Sequence, residues 1–148
     1  MLSPELADYL LAILYITTRR SGECCARLVE VSKLLGVAKP TASLMVGKLV
    51  RLGLVVKRRE GVVLSRRGIE VCDAIVRRHS VIEGVLTRCG LSRERACEVA
   101  RKLEVILDEG DIDALERGLA SALSDHDSLA CRIGSALRAR RRGKTSLC

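Results

Sequence analysis

The chain has 148 residues, with 26 Lys and Arg against 18 Asp and Glu, and so carries a formal net charge of +8. That length accommodates one compact domain or two small lobes sharing a long helix, and excludes a large catalytic domain. Hydrophobic residues make up 48% of the sequence but only Tyr9 and Tyr15 are aromatic, so the core must be aliphatic, which favours packed helices. An excess of positive charge is the footprint of a polyanion binder, with nucleic acid the leading partner.

In chain order, Ser3 and Pro4 supply an N-cap and a first helical position. Leu6, Leu10, Ile13 and Leu14 then recur at helical spacing as far as Arg20 and Gly22. A second helix is expected from about Ala26 to Leu35, on Leu28, Val31, Leu34 and Leu35, with Gly36 as its stop. Gly36-Val37-Ala38-Lys39-Pro40 is a tight turn into a third helix, Thr41 to Arg51, which Gly53 ends. Two short helices joined by such a turn spell helix-turn-helix.

Leu54 to Leu64 holds two β-branched runs about a basic turn with Gly61, the pattern of a hairpin or wing. Ser65 caps a long helix expected to reach about Arg88, with Ile69, Cys72, Ile75, Val76, Ile82, Val85 and Leu86 on its apolar side. Ser92 caps another, continuing through Val99, Leu103 and Ile106 to about Leu107. Asp108 to Asp111 reads as an acidic turn before a short helix, Ile112 to Leu123, and a last helix is expected over Asp127 to Arg138. The fold class is therefore mainly α with a small β-hairpin wing: a winged helix-turn-helix domain over 1–64, a helical dimerisation and sensor bundle over 65–140 and a basic tail over 141–148.

Taken together, Ala7-Asp8-Tyr9-Leu10 with Ile13, Val37 to Thr41, Leu49 to Val55, Gly61 to Leu64 with Gly68, and Arg78-His79 with Glu83 form an ordered set. In it the chain resembles the diphtheria toxin repressor and manganese transport regulator family over about residues 3–120. The resemblance implies a cytoplasmic, dimeric, metal-responsive repressor of the short form without an SH3-like domain. It also implies that Lys39, Thr41, Ser43, Leu44 and Lys48 face a double-stranded DNA operator from the third helix. Periodicity agrees, because it leaves Ala42, Met45, Val46 and Leu49 for the core. Lys57, Arg58 and Arg59 on the wing would meet phosphates, which position a protein without reading sequence.

His79 and Glu83 lie four apart, on one helix face, and can hold an ion between them. Cys97, Arg101 and Glu104 share a face of the next helix. By the resemblance, Cys97 takes the place of a histidine ligand, Glu104 matches a carboxylate ligand, and Asp8 stands at a ligand position in the first helix. Arg101 and Val105 replace residues that normally coordinate, and arginine brings no lone pair and a fixed positive charge. The expectation is a degraded primary site. Either His79, Glu83 and Cys97, completed by water, form a residual site for a divalent transition metal (iron, manganese, zinc or nickel), or the site is lost. In the second case Asp8, Arg101 and Glu104 make a salt-bridge cluster, and regulation passes through a thiol or an organic signal.

Other features support this class. The most apolar stretch, Leu10 to Ile16, falls far short of the roughly 20 residues a bilayer span needs, so no membrane partner is expected. No Gly-rich phosphate loop or nucleophile elbow is present and only His79 and His126 are histidines, so neither an enzyme nor a small-molecule substrate is expected. Seven cysteines without a C-x-x-C pair read mostly as buried thiols, and Asp127 beside His126 and Cys131 reads as a helix cap rather than a ligand. The lack of Asn and Gln points to a thermophilic source. The rival class is a winged-helix adaptor that binds protein, against which the basic third helix and wing argue.

Overall fold

The structure is a computed structural model and describes residues 2–19 and 25–120. Its elements are α1 (Pro4–Arg19), α2 (Leu28–Leu35), α3 (Lys39–Arg51), β1 (Val55–Arg58), β2 (Gly61–Leu64), α4 (Arg66–Arg88), α5 (Arg93–Leu103) and α6 (Glu109–Leu119). The chain divides into two compact units between Ala74 and Ile75, inside α4. The expected last helix and the basic tail lie outside the described residues.

The first unit is a winged helix-turn-helix. In α1 the Leu6 amide donates to Ser3 Oγ at 3.3 Å, as a cap should, and Tyr9 to Ile13 are buried to 1% or less. Gly36 ends α2 in a left-handed conformation (φ 66°), and the next helix starts three residues on with Pro40 in its first turn. Along α3 the buried residues are Ala42, Met45, Val46 and Leu49, the set that helical periodicity selects. They pack in the unit whose core also holds Leu10, Leu11, Val31, Leu54, Val55 and Val62.

The wing is an antiparallel pair with Val55 opposite Leu64 and Arg58 opposite Gly61, so Arg59 and Glu60 form its tip. One expectation is corrected here. Ala26 is not helical but bridges to Val62, with N–H donating to O at 2.8 and 2.9 Å in the two directions. Helix α2 therefore begins at Leu28. The close approach requires glycine at the neighbouring position, since a Cβ on Gly61 would lie 2.5 Å from the Ala26 carbonyl oxygen. Ser65 starts α4: its hydroxyl accepts from the Gly68 amide at 3.0 Å and donates to the Gly53 carbonyl at 2.6 Å, tying the helix to the end of α3. Ile69, expected on the apolar side of this helix, is 45% exposed.

In the second unit the C-terminal part of α4 packs with α5 and α6 around Val81, Ile82, Ala100, Ile112 and Leu119. Helix α5 starts at its expected cap, where Ser92 Oγ accepts from the Arg95 amide. It stops four residues early, at Leu103, and leaves Ile106 76% exposed rather than on the apolar face; Val105 is 79% exposed. Helix α6 starts three residues early, because the acidic run is its cap and first turn rather than a turn before it. Asp108 Oδ1 accepts from the Asp111 amide at 2.9 Å and Asp111 Oδ2 from the Asp108 amide at 3.0 Å, and carboxylates suit a helix N-terminus.

Arg77 of α4 joins α6 through Glu116 and Asp113, whose carboxylates hold its guanidinium pKa above the ordinary value. No helix among the described residues is long and apolar enough to cross a membrane.

Candidate metal centre and nucleic-acid interface

The burial of Ala42, Met45, Val46 and Leu49 turns the opposite side of α3 outward. Lys39, Thr41, Ser43 and Leu44 are exposed and Lys48 is half-buried. Leu44 is 58% exposed on this outward side. Helix α3 contains no acidic residue, and Arg51 adds an exposed cation one turn beyond Lys48 that the sequence reading did not single out. Lys57, Arg58 and Arg59 are all exposed on the wing. The first unit thus places the eight expected DNA-facing residues on α3 and the hairpin, with none in the core.

The second unit holds the chemistry. His79 and Glu83 are one turn apart on α4 and buried, at 2% and 8% exposure, and His79 Nε2 stands 3.6 Å from Glu83 Oε2. Cys97 joins them from α5: one ligand atom from each of the three residues lies within 4.8 Å of the others, the single such group among the described residues. On the other side of the ring, His79 Nδ1 lies 2.5 Å from Glu104 Oε1. A carboxylate has no proton to give, so Nδ1 donates, and in the neutral ring Nε2 then carries the lone pair.

That Nε2 atom is buried and has no hydrogen-bond partner among the described residues. With the ring neutral it faces a carboxylate oxygen as a second electron-rich atom, across a gap too long for a hydrogen bond. A cation between them removes the conflict. A tetrahedral ion with bonds of about 2.0–2.3 Å spaces its ligand atoms about 3.3–3.8 Å apart, which the 3.6 Å separation already satisfies. The residues therefore fit a divalent metal, with one nitrogen, one oxygen and one sulfur donor, a mixed set suited to borderline ions.

Glu83 Oε1 accepts from Arg93 Nε at 3.2 Å, which leaves the oxygen that faces His79 turned the right way. No spacing rule marks this contact, because it spans the turn between α4 and α5. Of the remaining candidate ligands, Asp8 belongs to the first unit, where it is buried in α1, and Glu104 is bonded to the histidine rather than placed among the three. Arg101 is half-buried on α5, and Val105 points to solvent after that helix has ended.

The thiols divide by environment. Cys72 is fully buried, donates to the Leu10 carbonyl at 3.8 Å and has its pKa pushed up to about 12, by burial first and by Asp73 second. It is inert packing. Cys25, Cys72, Cys89 and Cys97 are in no disulfide, and Cys24, Cys131 and Cys148 lie outside the described residues, with His126 and Asp127.

A winged helix-turn-helix followed by a helical unit with a histidine, carboxylate and thiolate cluster defines a metal-responsive regulator class, and comparison with known proteins agrees. Residues 65–128 match the family described as iron dependent repressor, metal binding and dimerisation domain, and residues 11–59 match the IclR helix-turn-helix domain. The transcriptional regulator MntR of Escherichia coli O6:H1 is 32% identical over 111 residues, which cover 74% of this chain and 70% of that protein. The chain belongs to the diphtheria toxin repressor and manganese transport regulator family of metal-dependent transcriptional regulators.

Solved structures extend the likeness. A hypothetical protein from Sulfolobus solfataricus is 29% identical with a TM-score of 0.66, the match covering 81% of this chain and 91% of that one. The metal-dependent transcriptional regulator MtsR is 26% identical with a TM-score of 0.70, over 80% of this chain and 55% of that one. IdeR of T. acidophilum is 25% identical with a TM-score of 0.64, over 77% and 53%. The chain thus spans about half the length of these last two structures.

Proposed function

We propose that this protein is a homodimeric DNA-binding repressor whose operator affinity is set by one borderline divalent ion, of the zinc or iron(II) kind, held by His79, Glu83 and Cys97. The observation that carries the reading is the buried, unpartnered Nε2 of His79 facing the Glu83 carboxylate, with Cys97 alongside. His79 and Glu83 would enter the ion's shell from one helix turn and Cys97 from the next helix, with water completing it. The bound ion would supply the charge that holds three otherwise repelling donors together.

The family's further site is degraded on this reading, because Arg101 cannot coordinate and repels cations, and Val105 has no donor. Cys97 sets the preference among ions: a soft thiolate favours zinc or iron(II) over manganese, which suits oxygen donors. In the DNA-binding half, α3 would enter the major groove, and Lys57, Arg58 and Arg59 would lie on phosphates. A dimer doubles this small recognition element over two half-sites.

The DNA assignment is tested by salt titration of duplex binding. Replacing Arg58 and Arg59 together with alanine is expected to lower the slope of log affinity against log salt by about one to two units, the loss of two phosphate contacts. The loss should be uniform across sequences. An unchanged slope removes the wing from the interface, and no salt-dependent binding of any duplex would favour an adaptor that binds protein.

A further inference from the structure

We propose that Glu104 is the orienting carboxylate of this centre rather than one of its ligands, and that Arg78 helps to keep it in place; the proposal rests on the His79, Glu83 and Cys97 reading above. The family pattern sets Glu104 among the ligands. The geometry gives it a different task.

An imidazole offers two nitrogens, and the one that carries hydrogen cannot bind a metal. Without a partner at Nδ1 the ring is free to turn and to place its proton on either side. Glu104 Oε1, 2.5 Å from Nδ1, fixes the hydrogen there and leaves the Nε2 lone pair directed at Glu83 and away from Glu104. To act as a ligand beside Nε2, Glu104 would have to give up this bond and cross to the other side of the ring. Glu104 is also the C-cap of α5: its N–H still donates to the Ala100 carbonyl at 2.9 Å, but its own carbonyl lies past the helix and has to be fixed from outside the ladder.

Arg78 supplies that constraint. Its Nη1 donates to the Glu104 carbonyl at 3.1 Å and to the Leu107 carbonyl at 2.6 Å, while its Nη2 pairs with Glu109 at the start of α6. The two carbonyls belong to the turn between α5 and α6, so one planar guanidinium pins both ends of that turn. Arg78 and His79 are consecutive on α4. A single helix thus carries two ligands, His79 and Glu83, and also the clamp that fixes the carboxylate behind one of them. The same clamp explains why α5 stops at Leu103 and why Val105 is turned to solvent.

The test is titration of the full chain with cobalt(II), a spectroscopic stand-in for zinc, on wild type, Glu104→Ala, Glu104→Gln, Arg78→Ala and Cys97→Ser. Wild type is expected to show a sulfur-to-cobalt charge-transfer band that Cys97→Ser loses. Glu104→Ala should bind roughly 10–100-fold more weakly, the usual cost of losing an outer-shell partner, yet reach the wild-type spectrum at saturation. Glu104→Gln should recover part of the affinity, because its amide oxygen still accepts from Nδ1–H. Arg78→Ala should weaken binding several-fold, again with an unchanged saturated spectrum.

A changed ligand-field spectrum in saturated Glu104→Ala would make Glu104 a ligand, and unchanged affinity would remove it from the centre; either overturns the proposal. If Glu104→Ala does not fold, the near-isosteric Glu104→Gln decides by the same spectrum. The absence of the sulfur band in wild type, or its survival in Cys97→Ser, overturns the underlying site itself.

Discussion

Replacing His79 with alanine is expected to weaken metal binding by more than about 100-fold, beyond the 10–100-fold that an outer-shell loss costs, because it removes a ligand. The same substitution strips Glu104 of the ring N–H to which its carboxylate is bonded. Loss of a hydrogen bond to a charged group costs about 1.5–3 kcal/mol, so the metal-free variant should also melt earlier than the metal-free wild type. The clearest readout is the thermal shift on adding zinc. An ion at 100 times its dissociation constant stabilises the folded state by about 2.7 kcal/mol, a rise that wild type should show and His79→Ala should lack. An equal rise in both would place the ion elsewhere. Cys97→Ser gives a finer version: zinc affinity should fall more than manganese affinity, since only the former gains from a soft thiolate.

The second large effect is structural. A Cβ on Gly68 would lie 2.0 Å from the Leu54 carbonyl oxygen and 3.0 Å from its carbon. Those are backbone atoms that cannot rotate away. Leu54 is itself in the core, and its carbonyl accepts the Ser65 amide at 3.0 Å, so the strain falls on the junction of wing and α4. Gly68→Ala is expected to cost about 3 kcal/mol or more, at or above the upper end of ordinary overpacking. That corresponds to a fall of roughly 10–20 °C in the melting temperature of a unit this size. Gly118→Ala is the control: it is helical with nothing among the described residues within 4 Å of the new methyl, and should be neutral or stabilising by about 0.5–1 kcal/mol. Equal melting of the two variants would contradict the packing described for Gly68.

These two predictions also mark how much could be read from the sequence. Helix α3 was legible because its signals are local: Pro40 in the first turn, four apolar positions at helical spacing and Gly53 beyond the end. The His79 and Glu83 pair was legible for the same reason, since one helix turn fixes their proximity. What failed depended on partners distant in the chain. Ala26 continues an apolar pattern, but a strand 36 positions later claims its backbone. The end of α5 extrapolates to Leu107 by periodicity alone, whereas Arg78 captures the carbonyls of Glu104 and Leu107. The acidic run at Asp108 reads as a polar turn because reciprocal capping looks, in composition, like a loop. Glu104 shows a related limit: its place on a helix face suggests a ligand, whereas its bond to His79 Nδ1, 25 positions away, is visible only in the structure.

The regulation proposed is a coupling of the basic face of α3 and the wing to an ion that His79, Glu83 and Cys97 would hold. It is tested most directly by measuring duplex affinity with chelator present and then with zinc, using sequences selected from a random pool by the zinc-loaded protein. The account predicts that zinc tightens binding by roughly 5–150-fold, the span of a coupling free energy of about 1–3 kcal/mol, and that His79→Ala abolishes the difference. Equal affinity of the wild-type protein under chelator and with zinc, iron(II) or manganese would contradict it.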